Sequence, residues 1–158
     1  MSKQQKKILI TLGFLLLLPY SEITATVVDF KRTGCLGGCP AYQLTVYGDG
    51  TVIYEGSAYV EVRGVQITHI PRSKVQELIQ EINKANFFAL EHRYESPVTD
   101  LPTITVLVRL GLSTKTVVRY GKGPAALLCL ERKIDEIANV DQWIGVFAVN
   151  QYRPGCNL

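Results

Sequence analysis

One stretch decides the fold of this chain: residues 34–54, which read GCLGGCPAYQLTVYGDGTVIY. The second half alternates apolar and polar residues on both sides of Gly48-Asp49-Gly50, a pattern that is typical of a β-hairpin. The first half places Cys35 and Cys39 directly before the first strand of this hairpin. The stretch therefore predicts a β-sheet with a cysteine-bearing loop at its edge.

The turn of the hairpin is predicted at Asp49-Gly50, because Asp-Gly supplies the positive φ angles that a tight two-residue turn requires. With this turn, Val46 would pair with Ile53, and Thr45 would pair with Tyr54. Both faces of the hairpin would then be at least half covered.

The N-terminus predicts export. Three lysines, Lys3, Lys6 and Lys7, precede the uncharged run Ile8 to Leu18, which has the length of a signal-peptide core and is shorter than the ~20 residues that span a bilayer. We expect residues 1–25 to be a signal peptide that is removed before Thr26, and the protein to be periplasmic or secreted. An uncleaved N-terminal anchor is the alternative.

Removal of residues 1–25 leaves 133 of the 158 residues, which is the size of one domain. We predict this domain over 26–145, with a C-terminal tail over 146–158. The removed segment holds three lysines and one glutamate, so the net charge falls from +3 to +1. Such a charge favours neither nucleic acid nor an anionic membrane as partner, and no stable membrane span is expected after cleavage.

The first helix is predicted over Lys74 to Asn86. Ser73-Lys74-Val75-Gln76 has the pattern of a capping box, and apolar residues follow at helical spacing. A polar loop over Glu91 to Pro102 is predicted next.

A second hairpin is predicted after that loop, with strands Ile104 to Leu110 and Thr114 to Tyr120. Gly123-Pro124 has the pattern of an N-cap followed by proline at the first helical position, so a second helix is expected there. The chain is thus predicted to be a single α+β domain, an antiparallel sheet of five to seven strands with two helices packed on one face.

The four cysteines predict two disulfides. Cys129 lies roughly 115° from the centre of the apolar stripe of the second helix, toward its flank, where Cys156 in the tail could reach it. Cys35 would then pair with Cys39, which is one of three possible connectivities. A Cys129–Cys156 bridge would stabilise the fold by about 3–4 kcal/mol and the short Cys35–Cys39 loop by much less.

A redox-active Cys35–Cys39 pair is the alternative to a structural one. Against it, the spacing is C-x3-C, and Pro40 leads into a strand rather than into a helix start that would lower the pKa of a thiolate. Zinc binding is not favoured, because Cys129 and Cys156 form no second closely spaced ligand pair. We predict no metal, cofactor or catalytic residue.

The polar loop holds the remaining candidates for chemistry. Asp100 lies there with His92 and Tyr94, in a segment of the kind where binding residues often occur. An Asx-type turn before Pro102 is the simpler interpretation of Asp100. A hydrolase that uses Asp100 and His92 is a third possibility, which requires these two side chains to be close.

These motifs resemble a known family. The strings Gly34–Tyr42, Tyr47–Val52 and Thr99–Thr103, together with Phe87-Phe88 and Tyr94, are similar to the bacterial family catalogued as domain of unknown function 6438. The resemblance covers about Val27 to Trp143. It implies a small, often exported protein without assigned activity, and it places Cys35, Cys39, Tyr42 and Asp100 in recurring motifs. It does not extend to Cys156.

The expected function is that of a non-enzymatic binding or interaction module of the bacterial cell envelope. Stapled loops favour this interpretation, because a rigid loop loses less entropy when it binds. The candidate binding residues are Tyr42, Asp100 and Tyr94, and the expected partner is an unknown protein or glycan of the envelope. The alternative is a thiol–disulfide redox protein that uses Cys35 and Cys39.

Overall fold

The computed structural model describes residues 25–145. Apart from Ala25, the predicted signal peptide lies outside these residues, as do the predicted tail and Cys156. The strands are β1 (Thr26–Arg32), β2 (Ala41–Tyr47), β3 (Thr51–Ala58), β4 (Gly64–His69), β5 (Arg93–Glu95), β6 (Thr103–Leu110) and β7 (Ser113–Tyr120). The helices are α1 (Arg72–Lys84), α2 (Ala125–Ile137) and α3 (Asp141–Ile144), and a 3-10 turn spans Phe87–Ala89.

The seven strands form one sheet in the order β4-β3-β2-β1-β6-β7-β5. All neighbours are antiparallel except β5 and β7, which are parallel. The predicted α+β class is confirmed. β5 was not predicted. It has only three residues, two of them charged, and it lies within the segment predicted as a polar loop, at the far edge of the sheet.

Strand alternation creates a covered face and an open face of the sheet. In β2, every second side chain from Tyr42 to Val46 is buried, and β6 alternates in the same way. α1 and α2 contribute their apolar stripes to the same core: Val75, Leu78 and Ile82 from α1, and Leu127, Leu130, Ile134 and Ile137 from α2. Both helices therefore lie on the covered face, as predicted.

The predicted register of the first hairpin is wrong by one residue. Val46 pairs with Val52 and Thr45 with Ile53, because Gly48–Gly50 forms a three-residue connection. Gly50 has φ 96° and donates its N–H to the carbonyl of Tyr47 at 3.0 Å. A left-handed glycine at the end of a three-residue loop is a common hairpin solution, and here it moves Val52 to the covered face.

Both predicted helix starts are also shifted. α1 begins at Arg72 after Pro71, without a side-chain cap, so the capping box at Ser73 does not form. α2 begins at Ala125 with Pro124 as its N-cap, one residue later than predicted. Proline precedes both helices, and its fixed φ prepares the chain for the first turn in each case. Within residues 25–145, no helix is long and apolar enough to cross a membrane.

Candidate functional site

Four loops share one end of the sheet, which we call the loop end. They are residues 33–40 between β1 and β2, 59–63 between β3 and β4, 96–102 between β5 and β6, and 121–124 between β7 and α2. The first of these is the cysteine loop. The opposite end carries the hairpin connections at 48–50 and 111–112. The cysteine loop therefore joins two central strands of the sheet at this end, and does not lie at an edge of the sheet as predicted.

A disulfide joins Cys35 and Cys39, whose Cα atoms lie 5.2 Å apart. Cys39 is buried and donates its backbone N–H to Sγ of Cys35 at 3.2 Å, while Cys35 is half-buried. Cys129 is disulfide-bonded as well, and Cys156, the partner predicted for it, lies outside the described residues. The Cys35–Cys39 bridge closes the loop that leaves β1 and enters β2.

A buried polar contact lies directly beneath this loop. Tyr42, the second residue of β2, donates its hydroxyl hydrogen to Oδ1 of Asp135 on α2 at 2.6 Å. Arg32, the last residue before the loop, lies 3.6 Å from Oδ2 of the same carboxylate. Both residues at the base of the loop are therefore attached to one acid of the covering helix.

The environment shifts the pKa values of these groups. Burial and the Asp135 carboxylate raise the pKa of Tyr42 well above its usual value, so its hydroxyl stays a neutral donor. Burial acts to lower the pKa of Arg32, but Tyr42 and Asp135 outweigh it and the net shift is upward. The Arg32 guanidinium also lies 5.6 Å from the ring centre of Phe30. The contact thus joins a buried guanidinium and a neutral hydroxyl to one carboxyl group.

A second buried ion pair lies one helical turn earlier on α2. Arg119 of β7 binds Glu131 with two nitrogens, Nε to Oε1 at 2.7 Å and Nη2 to Oε2 at 2.6 Å. Its remaining terminal nitrogen donates to the carbonyl of Gly121. Burial raises the pKa of Glu131, and the bidentate Arg119 opposes this rise. The two pairs together bind α2 to three strands of the sheet.

Sequence reasoning missed this buried polar cluster, which consists of Arg32, Tyr42, Arg119, Glu131 and Asp135. A signal was available, because Arg32 and Arg119 each lie two positions after a buried apolar residue of the same strand, Phe30 and Val117, and therefore on its inward-facing side. The two acids are four residues apart on α2 and therefore share one side of it. Each of the five side chains has a polar partner within the cluster, and the cluster therefore positions the loop end.

Tyr42, predicted as a binding residue, is 2% exposed and belongs to the core. Its ring lies 6.0 Å from that of Phe30 and 5.7 Å from that of Tyr54. A partner cannot reach a side chain in this position without unfolding of the domain. Tyr42 therefore acts on the loop end from beneath.

Tyr94 is half-buried on β5, and its hydroxyl accepts the backbone N–H of Glu91 at 2.9 Å. Three strands separate β5 from β2, which places Tyr94 about 19 Å from Tyr42 at the usual strand spacing. The structure does not bring these two tyrosines together.

Asp100 is exposed at the loop end with φ 65°. Its loop is tied to the cysteine loop through Thr103, whose N–H donates to Oγ1 of Thr33 at 2.9 Å. His92 lies before β5, with Nδ1 3.2 Å from the carbonyl of Thr116, whereas Asp100 follows the other end of that strand. His92 and Asp100 thus lie beyond opposite ends of β5, and this placement disfavours a joint role in hydrolysis.

The outer surface of the cysteine loop carries two large exposed side chains that the sequence did not single out. Leu36, between the cysteines, is 81% exposed, and Tyr59 of the neighbouring loop is 60% exposed. The Tyr59 ring lies against glycines of the cysteine loop: a Cβ at Gly38 would be 3.4 Å from Cδ1 of the ring, and one at Gly34 would be 4.0 Å from Cε2. We call Leu36 and Tyr59 the exposed pair.

The backbone of Tyr59 has φ 55°, a conformation that costs an L-residue roughly 1–2 kcal/mol. Strained residues of this kind often occur at functional sites. Among residues 25–145, no group of three or more His, Cys, Asp or Glu could hold a metal ion. The exposure of Leu36 and Tyr59 and the backbone strain at Tyr59 make the exposed pair a candidate binding site.

The comparisons with known proteins agree with the resemblance of the motifs. The family model described as Domain of unknown function (DUF6438) matches residues 26–138, which include every strand, α1, α2 and the cysteine loop. Among curated proteins, none matches this chain. The chain belongs to the family described as Domain of unknown function (DUF6438).

Proposed function

We propose that this protein is an exported, non-enzymatic binding module of the bacterial cell envelope, and that it recognises its partner with the exposed pair. The observation that carries the proposal is the Tyr59 ring, which lies on a disulfide-closed loop and exposes 60% of its surface. A rigid, partly exposed aromatic side chain can contribute much binding energy at a small entropic cost.

A protein is favoured over a glycan as the partner. Leu36 has no hydrogen-bonding group in its side chain, and an exposed leucine on the loop that the Tyr59 ring contacts suits the apolar part of a protein interface. Asp100, on the neighbouring loop, can add a polar contact at the rim of this surface. Tyr42 supports the site indirectly, because it anchors the cysteine loop to Asp135.

The test is binding of the purified exported protein to solubilised envelope proteins and, separately, to isolated peptidoglycan. Leu36→Ser and Tyr59→Gly should each weaken binding at least tenfold, as expected for central interface residues. Leu112→Ser is the matched control, since Leu112 is fully exposed at the opposite end of the sheet. Equal binding by all three variants would contradict the assignment of the site. If Leu36→Ser and Tyr59→Gly weaken only the binding to peptidoglycan, the partner is a glycan.

Export supports the envelope assignment and is proposed from the N-terminal sequence. Cell fractionation should place the protein outside the cytoplasm, and its mass should correspond to cleavage before Thr26. A protein that retains residues 1–25 in the cytoplasm would contradict the proposed location.

A thiol–disulfide redox protein is the second candidate, and one contact favours it. The backbone N–H of Cys39 points at Sγ of the more exposed Cys35, which is the kind of donor that stabilises a thiolate. In that case Cys39→Ser should trap mixed disulfides between Cys35 and other exported proteins, and glutathione should open the bridge at ordinary periplasmic poise. A bridge that resists reduction and traps nothing would leave the binding module as the function.

A further inference from the structure

The two edges of the sheet differ in their protection. β5 has only three residues, two of them charged, and Pro97 follows it closely. Short length, charge and proline are the usual means by which proteins block an edge. β4 has six residues, GVQITH, without proline, lysine, arginine or acid, and it pairs with β3 without a bulge. The β4 edge therefore lacks each of these protections.

Every second residue of β4 directs its backbone N–H and C=O groups away from β3. Ile70 donates its N–H to the carbonyl of Gly50 at 2.9 Å, so the residues at even positions direct their backbone toward β3. Because antiparallel hydrogen bonding alternates along a strand, Val65, Ile67 and His69 direct theirs away from the sheet. Within the described residues, no strand pairs with this side of β4.

The side chains beside these groups are unusually exposed for their type. Val65 is 57% exposed and Ile67 is 70% exposed, both on the open face of the sheet. Two β-branched residues at alternate positions suit a strand that is paired on both sides. Their exposure indicates that a neighbour on this edge would bury apolar surface as well as form hydrogen bonds.

We propose that β4 is a self-association edge, on which a second copy of this chain pairs antiparallel with the two Ile67 residues on the two-fold axis. In this register Ile67 lies opposite Ile67, and Val65 lies opposite His69. Every outward backbone group of one copy then meets an outward group of the other, which gives about six hydrogen bonds. The interface is isologous, so it closes as a dimer.

A second copy is favoured as the partner because β4 contains no lysine, arginine or acid. β4 has no formally charged lysine, arginine or acid, so two identical strands can approach without like-charge repulsion, and Arg63 falls beyond the paired segment in this register. One strand edge and four aliphatic side chains form a smaller contact than the roughly 1,000 Å² of a lasting interface. We therefore expect a weak dimer that forms at high concentration.

The first test is sedimentation velocity of the exported protein from roughly 10 μM to 1 mM, the range in which weak complexes dissociate. The dimer fraction should rise with concentration. Ile67→Lys places two like charges on the axis and should raise the dissociation constant at least tenfold, whereas Leu112→Lys should behave as the wild type. A wild type that stays monomeric throughout, or equal effects of the two lysines, would overturn the proposal.

A cross-link tests the register independently of affinity. Directly opposite residues of a hydrogen-bonded antiparallel pair have Cα atoms about 5.5 Å apart, within the range of a disulfide. After purification with the native disulfides intact, mild oxidation of the Ile67→Cys variant should give a covalent dimer much faster than oxidation of the Leu112→Cys variant. Equal rates would contradict the two-fold axis at Ile67. Near-unchanged circular dichroism would show that each variant is folded.

Discussion

Two tyrosines border the cysteine loop, and their surroundings are opposite. Tyr42 lies beneath the loop, is 2% exposed and gives its hydroxyl hydrogen to Asp135, while Tyr59 lies outside it and is 60% exposed. Tyr42 belongs to the string Gly34–Tyr42 that resembles the family, and Tyr59 does not. The difference teaches that the tyrosine of this string anchors the loop from beneath, whereas the tyrosine that a partner can reach lies on the neighbouring loop.

An ion pair and a hydrogen bond hold the inner side of the loop end, whereas the outer side has an aromatic ring packed against glycines. Arg32 and Tyr42 fix both ends of the loop to one carboxylate on α2. The ring of Tyr59 lies against glycines of the loop. Substitutions on the inner side should therefore change stability, and substitutions on the outer side should change binding.

The largest effect is expected from Asp135→Ala. This change leaves the buried guanidinium of Arg32 and the hydroxyl of Tyr42 without their acceptor, and breaking a buried ion pair typically costs about 3–5 kcal/mol. Urea unfolding would measure the loss.

Glu136→Ala is the matched control, because Glu136 neighbours Asp135 but forms its ion pairs with Arg132 and Lys133 at the surface. Its removal should cost less than about 1 kcal/mol. Similar losses for the two variants would mean that the buried contact is not what holds the loop end.

Tyr42→Phe should have the next largest effect. It removes only the hydroxyl that donates to Asp135 at 2.6 Å, and hydrogen bonds to charged groups contribute about 1.5–3 kcal/mol. Tyr59→Phe makes the same chemical change on the outer side and should leave the free energy of unfolding unaltered. Equal effects would remove the distinction between the two tyrosines.

High pH should weaken the inner side. Burial raises the pKa of Tyr54, whose ring stacks on Trp143, to about 12, compared with about 10 for an unfolded tyrosine. The stabilisation is complete below pH 10 and is lost as pH rises through 12, because the unfolded state releases its proton first. Unfolding at pH 9 and pH 11 should differ by about 1 kcal/mol more in the wild type than in Tyr54→Phe, and an equal difference would indicate that Tyr54 ionises freely.

The sequence predicted most of the fold because alternation and helical spacing are local. Val28 and Phe30, or Leu127 and Leu130, reveal their core-facing side without any knowledge of the partner. The register of the first hairpin could not be read in the same way. It depends on whether the turn uses two or three residues, and Gly48-Asp49-Gly50 allows both.

The candidate site was less predictable because it depends on tertiary contacts. Nothing local to Tyr42 indicates that Asp135, 93 residues later, accepts its hydrogen bond. Tyr59 was not selected because an isolated tyrosine carries no pattern, and its positive φ is visible only in the structure. Sequence reasoning found the loop and missed which of its sides faces the solvent.

A small effect on stability, together with a large effect on binding, is expected from Tyr59→Gly. Glycine adopts φ 55° without strain, so the relief should offset the lost ring contacts and keep the free energy of unfolding within about 1 kcal/mol of the wild type. A residue that the fold does not need, in a conformation that it does not favour, is best explained by recognition. If Tyr59→Gly instead destabilises the protein by several kcal/mol, the ring is a structural cover of the cysteine loop, and the contrast between the two tyrosines is one of degree.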